Sequence, residues 1–159
     1  MRTRAFPQRI PAKVAARLRI AVVRAEFNSE ITESLESACV AALESAGIPG
    51  ARVERFRVPG CFEIPIMSQR LARRRRYDAI IALGAVIKGD TFHFELVASE
   101  CARGVMKVSL KHDIPIIFEV LAVYNRRDAL RRAGKNGMNK GIEAAGAALS
   151  VLGQLRGLT

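Results

Sequence analysis

Apolar positions along this chain alternate between unbroken runs and the three-to-four spacing of helices. Arg19–Arg24 (RIAVVR) is a short β-branched run and predicts the first strand. Ser29–Ala46 carries Ile31, Leu35, Ala38, Cys39, Ala42 and Leu43 at helical spacing, and Gly47 and Pro49 close that helix. Arg52–Val58 predicts a second strand. The Pro59-Gly60 break then leads into a helix over Glu63–Arg75. Asp78–Ile87 is almost wholly apolar and predicts a third strand, followed by a helix over 93–111. Ile114–Val123 predicts a fourth strand. Two helices, over 126–133 and 139–155, flank the break at Gly134–Gly137.

Strands three and four read as apolar without alternation, so both are expected to be buried on both faces. That is the mark of a parallel sheet covered by helices. The expected fold class is α/β, a three-layer αβα sandwich around four parallel strands, with right-handed crossovers. Residues 1–17, with Pro7 and Pro11, read as an extended N-terminal arm, and 18–159 as a single domain.

Ligands in such sheets bind beyond the carboxyl ends of the strands. Four segments fall there: Phe27-Asn28; Val58 to Glu63; Gly84 to His93; and the region of Phe118 and Tyr124-Asn125. Their convergence points to a small-molecule site. Neither G-x-G-x-x-G nor G-x-x-x-x-G-K-[ST] occurs, which argues against dinucleotide and P-loop readings. Gly89-Asp90-Thr91 runs straight into a helix, where backbone amides suit an anion; Asp90 or Thr91 acting only as an N-cap is the equal alternative. His93, between Phe92 and Phe94, is either a packed residue or a proton shuttle oriented by Glu143 or Glu95. His112 reads as a surface or capping residue. Glu63 is either a helix-start charge or an acceptor for a polyol or base edge. Phe27 is either core or a stacking platform. A Cys61–His93 nucleophile–base pair lacks any third group. Arg132 and Lys140 flank a glycine-broken junction and suit a phosphate, with dipole complementation at a helix end as the alternative.

Composition changes the picture in one respect. Among 159 residues, 26 Lys+Arg face 15 Asp+Glu, a net charge of +11, which suggests an anionic partner. The cations cluster in residues 1–25, at Arg70 with Arg73–Arg76, and from Arg126 to Lys140. The seven of the first cluster are expected outside the core. Single-strand binders interleave aromatics with such charge, and this chain does not, so a nucleic-acid partner is disfavoured. Cys39, Cys61 and Cys101 are odd in number and far apart, which argues against a disulfide framework or zinc site and for a reducing, cytoplasmic setting. Arg17 and Arg19 interrupt any signal-peptide core, and the apolar runs are well below the roughly 20 residues that span a bilayer.

Four strings, taken together, are specific: AEFN (25–28), VPGCFEIP (58–65), YDAIIALGAVIKGDTFHFE (77–95) and RRAGKNGMNKGIEAA (131–145). In their order and spacing the chain resembles the lumazine synthase family, whose fold is flavodoxin-like. The resemblance implies condensation of 5-amino-6-(D-ribitylamino)uracil with 3,4-dihydroxy-2-butanone 4-phosphate to 6,7-dimethyl-8-ribityllumazine, phosphate and water, with no metal or organic cofactor. It implies that Phe27 stacks on the pyrimidine beside Asn28, and that Cys61, Phe62 and Glu63 hold the ribityl chain. Val86 and Ile87 would meet the pyrimidine edge, and Gly89, Asp90 and Thr91 would cradle phosphate with Arg132. His93 would be the acid/base with Glu143 nearby, and Lys140 would line the same pocket. Phe118 and Arg132 would come from a neighbouring subunit of a pentamer. The absence of an insertion over Gly134–Gly141 favours a shell of sixty subunits, with riboflavin synthase as a family partner. Val123-Tyr124, Asn136, Cys61 and Phe92 depart from the family pattern. A weak or silent shell-forming or flavin-binding paralogue is the alternative reading.

Overall fold

The computed structural model describes residues 10–135 and 138–157. Asn136 and the first nine residues of the arm lie outside them. Two strands form the middle of the sheet. These are β1 (Ile20–Ala25), buried at every position, and β3 (Ala79–Ile87), buried through Ala85. Their unbroken apolar runs are what a strand covered on both faces requires. β2 (Val53–Val58) and β4 (Ile116–Val123) form the edges of an all-parallel sheet in the order β2-β1-β3-β4.

The helices fall on two faces. α2 (Ser29–Ser45), α5 (Arg126–Ala133) and α6 (Lys140–Arg156) cover one, packing Leu35, Cys39, Ala144 and Ala148 on Ile20, Val22, Ile81 and Leu83. α3 (Ile64–Arg73) and α4 (His93–His112) cover the other, packing Ile64, Cys101 and Val105 on Ala21, Val23, Ile80 and Ala82. The period-two geometry of a strand sorts successive residues to the two cores. The expected three-layer α/β architecture is therefore present, with the strand order reversing between β1 and β3.

Three expectations are corrected. The arm is not extended throughout, because α1 (Ala12–Ala15) is one helical turn and Ala15 and Leu18 are buried. β4 is not covered on both faces: as an edge strand it leaves Phe118 and Ala122 exposed and carries the ionisable Glu119. Not all cations of the first cluster lie outside the core, since Arg24 on β1 is only 1% exposed.

Arg24 is tolerated because it is paired. Its Nε donates to Glu36 Oε2 at 2.5 Å, Nη1 donates to Thr32 Oγ1 at 3.2 Å, and Glu33 lies 3.7 Å from Nη2. Burying a guanidinium is costly, and removing its main carboxylate leaves that cost uncompensated. Glu36→Ala is expected to lower stability by about 3–5 kcal/mol. The double variant Arg24→Met/Glu36→Leu should recover most of it. Urea unfolding of the three proteins checks this, and a double variant no better than Glu36→Ala would refute the pairing argument.

Candidate functional site

A cavity of about 700 Å³ opens beyond the carboxyl ends of β1 and β3, where the strand order reverses. Its walls come from three of the four segments predicted to meet there; Tyr124 and Asn125 after β4 do not line it. Phe27 and Asn28 follow β1. Pro59 to Glu63 follow β2, with Cys61–Glu63 forming a 3₁₀ turn. Ala85, Val86 and Ile87 end β3, and His93, Leu96 and Val97 descend from the first turns of α4.

Backbone links hold the loops in register. Glu26 N–H donates to Val58 O at 2.8 Å and Phe27 N–H to Pro59 O at 3.0 Å, so the β1–β2 ladder continues past the strand ends. Asn28 adopts a left-handed conformation, φ +59°, which asparagine tolerates better than most residues. Its amide Nδ2–H donates to Ala85 O at 2.9 Å, tying the β1 exit to β3. Phe27 is thereby held with its ring 72% exposed, and Phe62 is also exposed. Two solvated phenyl rings on a cavity wall are costly in water and become favourable against a planar or apolar ligand.

Polar groups are few. Glu63 accepts from Gly60 N–H at 2.9 Å, so its carboxylate caps its own turn, as the helix-start reading expects, while also lining the cavity. His93 is exposed at the start of α4. The structure gives α4 no side-chain cap: Phe92 occupies the cap position, and neither Asp90 nor Thr91 bonds the first-turn amides. Gly89, Asp90 and Thr91 are exposed at the rim rather than in the lining.

Cys61 is 4% exposed, and burial pushes its thiol up to about 11. Burial thus disfavours the thiolate, which argues against a Cys61–His93 nucleophile pair. The thiol fills a notch over Gly84 instead, where an added Cβ would lie 2.5 Å from Cys61 Sγ. Gly84→Ala is therefore expected to cost about 1–3 kcal/mol by overpacking. Cys61→Ala should relieve that cost in the double variant. Simple additivity in a denaturant double-mutant cycle would count against the contact.

Seven predicted site residues do not line this cavity: Gly89, Asp90 and Thr91, and four on other elements. Phe118, 39% exposed, lies opposite Ala82, three residues short of the cavity along the strand. Arg132 on α5 donates to Asp128 O at 3.0 Å. Lys140 and Glu143 pair at 2.5 Å on the first turn of α6, in the layer opposite α4. So Glu143 does not orient His93 within one chain, and Glu95 pairs with Lys88 at 3.9 Å instead. Leu96 and Val97 went unmarked in the sequence, although their offsets of three and four from His93 place them on its helix face.

Glu119 also escaped notice. It shares the face of β4 that carries Leu121 and Val123 toward α6, with Leu83 as its register partner. Burial raises its carboxyl to about 7, with Lys140 drawing it down and Glu143 pushing it up. Among the described residues no three His, Cys, Asp or Glu side chains are grouped to hold a metal, all three cysteines are free, and no helix is long and apolar enough to cross a membrane.

The family model described as 6,7-dimethyl-8-ribityllumazine synthase matches residues 17–156, from the turn before β1 to the last residue of α6. That span includes every loop of the cavity and both helices beyond β4, and the chain accordingly belongs to the lumazine synthase family.

Proposed function

We propose that the protein condenses 5-amino-6-(D-ribitylamino)uracil with 3,4-dihydroxy-2-butanone 4-phosphate, giving 6,7-dimethyl-8-ribityllumazine, phosphate and water, as a step of riboflavin biosynthesis. The observation that carries this reading is the cavity itself. In a chain of this family, exposed Phe27, the Glu63 carboxylate and His93 meet at one switch point. Phe27 stacks on the pyrimidine, with Val86 and Ile87 at its edge. Asn28, the backbone of Cys61 and Phe62, and Glu63 receive the ribityl chain. The uncapped amides of α4, with Gly89, Asp90 and Thr91, take the phosphate.

In this reading the amine attacks the ketone, a Schiff base forms, phosphate leaves and the ring closes with loss of water. Both reactants are intrinsically reactive, so positioning supplies most of the catalysis and His93 moves the protons. The chain acts as a transferase of the cytoplasm and draws on no metal or organic cofactor.

The missing side chains argue for a homo-oligomeric site. Phe118, Arg132, Lys140 and Glu143 all sit on the β4 side of the molecule, away from their own cavity. A neighbour that presents this side to the cavity completes it. The outer face of α4 supplies contact surface: Phe92, Leu96, Met106 and Leu110 are at least half exposed and Ile66 of α3 joins them. Such patches on a lone subunit mark association surfaces. The assembly is a pentamer, or sixty subunits in a shell, with riboflavin synthase as a partner. Mixing the protein with both substrates and following lumazine fluorescence tests the activity. Product no faster than the spontaneous reaction would instead leave a silent or flavin-binding paralogue. Negative-stain microscopy separates pentamer from shell.

A further inference from the structure

We propose that Tyr124 is a positioning residue: its ring clamps both ends of the β3–α4 loop, through Lys88 on one side and Phe94 on the other, and so pre-forms residues 89–93 for a phosphate-bearing substrate. The substrate rests on the function proposed above; the clamp rests on geometry alone.

The loop has little support of its own. Residues 88–93 are all exposed, and a Cβ at Gly89 would meet nothing within 4 Å. Among the described residues neither Asp90 nor Thr91 makes a side-chain hydrogen bond or ion pair, and α4 has no side-chain cap. The helix start is loosely closed, with Leu96 N–H donating to Phe92 O at 3.4 Å.

Support comes at the two ends. Lys88 N–H donates to the carbonyl of Val123, the residue before Tyr124, at 2.9 Å. The Lys88 ammonium lies 5.5 Å from the centre of the Tyr124 ring, within cation–π range. Beyond the loop, the Phe94 ring centre is 6.4 Å from that of Tyr124, with the rings tilted by 35°. Lys88 Nζ is also 3.9 Å from Glu95 Oε1. Glu95 Oε2 is buried with no hydrogen-bond partner, so among the described residues the ammonium is what compensates that carboxylate. Tyr124 therefore meets both the residue that enters the loop and the helix turn that leaves it. The ring is itself 75% exposed and does not line the cavity, so it acts through the loop and carries little of the core.

Ordering an exposed backbone stretch costs conformational entropy, and a loop fixed in advance spares the ligand that cost. Without the ring, Lys88 and Phe94 move independently. The amides ahead of α4 and the His93 imidazole then sample more conformations, and the phosphate end of a substrate is held less well. The pyrimidine of the proposed reaction meets Phe27 after β1, away from this loop, and is spared.

Hydrogen exchange of the assembled, ligand-free protein, read by mass spectrometry, tests the clamp directly. Tyr124→Ala should speed exchange over residues 88–96 about three- to tenfold, the order of one exposed cation–π contact with one aromatic pair. Tyr124→Phe keeps both ring contacts and should exchange like wild type. In lumazine formation Tyr124→Ala should raise KM for the butanone phosphate about three- to tenfold and leave KM for the pyrimidine unchanged, and Tyr124→Phe should restore the wild-type value. A general loss of stability would not separate the two substrates. Tyr124→Leu keeps apolar bulk without a π face, and it decides the matter should Tyr124→Ala fail to assemble. Unchanged exchange in the assembled Ala or Leu variant, equal KM changes for both substrates, or a Phe variant that behaves like Ala overturns the proposal. If the wild type forms no lumazine, the proposed reaction falls and exchange alone decides the clamp. Lumazine formation with wild-type exchange and KM in Tyr124→Ala would keep the reaction and remove the clamp.

Discussion

Gly141→Ala is expected to lose more than ~4 kcal/mol of stability, or to fail to assemble, the largest effect of any small substitution outside the cavity. A Cβ at Gly141 would lie 2.0 Å from the backbone oxygen of Leu35 on α2 and 2.9 Å from Asn139 Oδ1. Neither is the movable end of a flexible side chain. Leu35 is in the middle of α2, fully buried, and Asn139 is 3% exposed. Asn139 caps α6 by accepting from Gly141 N–H at 2.8 Å, and its Nδ2 donates to Ala133 O at 2.7 Å. The same carbonyl of Ala133 receives the Ser34 hydroxyl. The end of α5, the start of α6 and the middle of α2 are thus one hydrogen-bonded joint, and a methyl group inside it must push α6 away. Lys140 and Glu143 ride on that turn and would move with it. Gly89→Ala is the control: nothing lies within 4 Å of its Cβ, and its stability should be unchanged. Urea unfolding and size-exclusion profiles of the two variants decide the matter, and a stable, assembled Gly141→Ala would show that the α2–α6 contact gives way easily.

His93→Ala is expected to slow lumazine formation by about 10²–10⁴-fold at most and to leave a rate above the spontaneous reaction. The imidazole is exposed on the first turn of α4, and the two carboxylates expected to orient it are paired elsewhere, Glu95 with Lys88 and Glu143 with Lys140. Under the proposed mechanism its removal takes away proton transfer and little of the cavity wall. In the proposed reading Phe27, Glu63 and the α4 amides would still align the reactants, and alignment alone is worth many orders of magnitude. KM should therefore move less than kcat. In the proposed oligomeric site Arg132→Ala should do the opposite, raising KM for the phosphate-bearing substrate, because a planar guanidinium would grip the phosphate without moving a proton. A correctly assembled His93→Ala protein with no rate above background would place the catalysis in proton transfer and refute the positioning argument.

The regular elements were legible because each carries its own signal. The unbroken run of β3, the i, i+3, i+4 spacing of α2 and the Pro59-Gly60 break are local, and local backbone geometry obeys them. Observed boundaries agree within about two residues for most elements: Ile20–Ala25 against 19–24, and Lys140–Arg156 against 139–155. The cavity loops were legible for a second reason. A parallel sheet places the carboxyl ends of all strands at one edge, so element order alone brings Phe27, Cys61 and His93 toward each other. The apolar reading of β4 failed because Phe118, Val120 and Ala122 mark a face only partly covered at the sheet edge, and period-two geometry says nothing of how many layers lie on it.

The sequence by itself determined the strand and helix order, the family strings and the end of the sheet at which the cavity opens, all of which follow from local spacing and chain direction. Only the tertiary structure decided which cations are solvated. Arg24 looked like one more charge of a basic arm until Glu36, twelve residues away, was seen to face it across the β1–α2 layer. Only the tertiary structure separated Lys140 and Glu143 from His93, because a sheet lies between α4 and α6. Which layer a side chain enters depends on how faces pack, and packing is a property of the whole chain, not of any window along it.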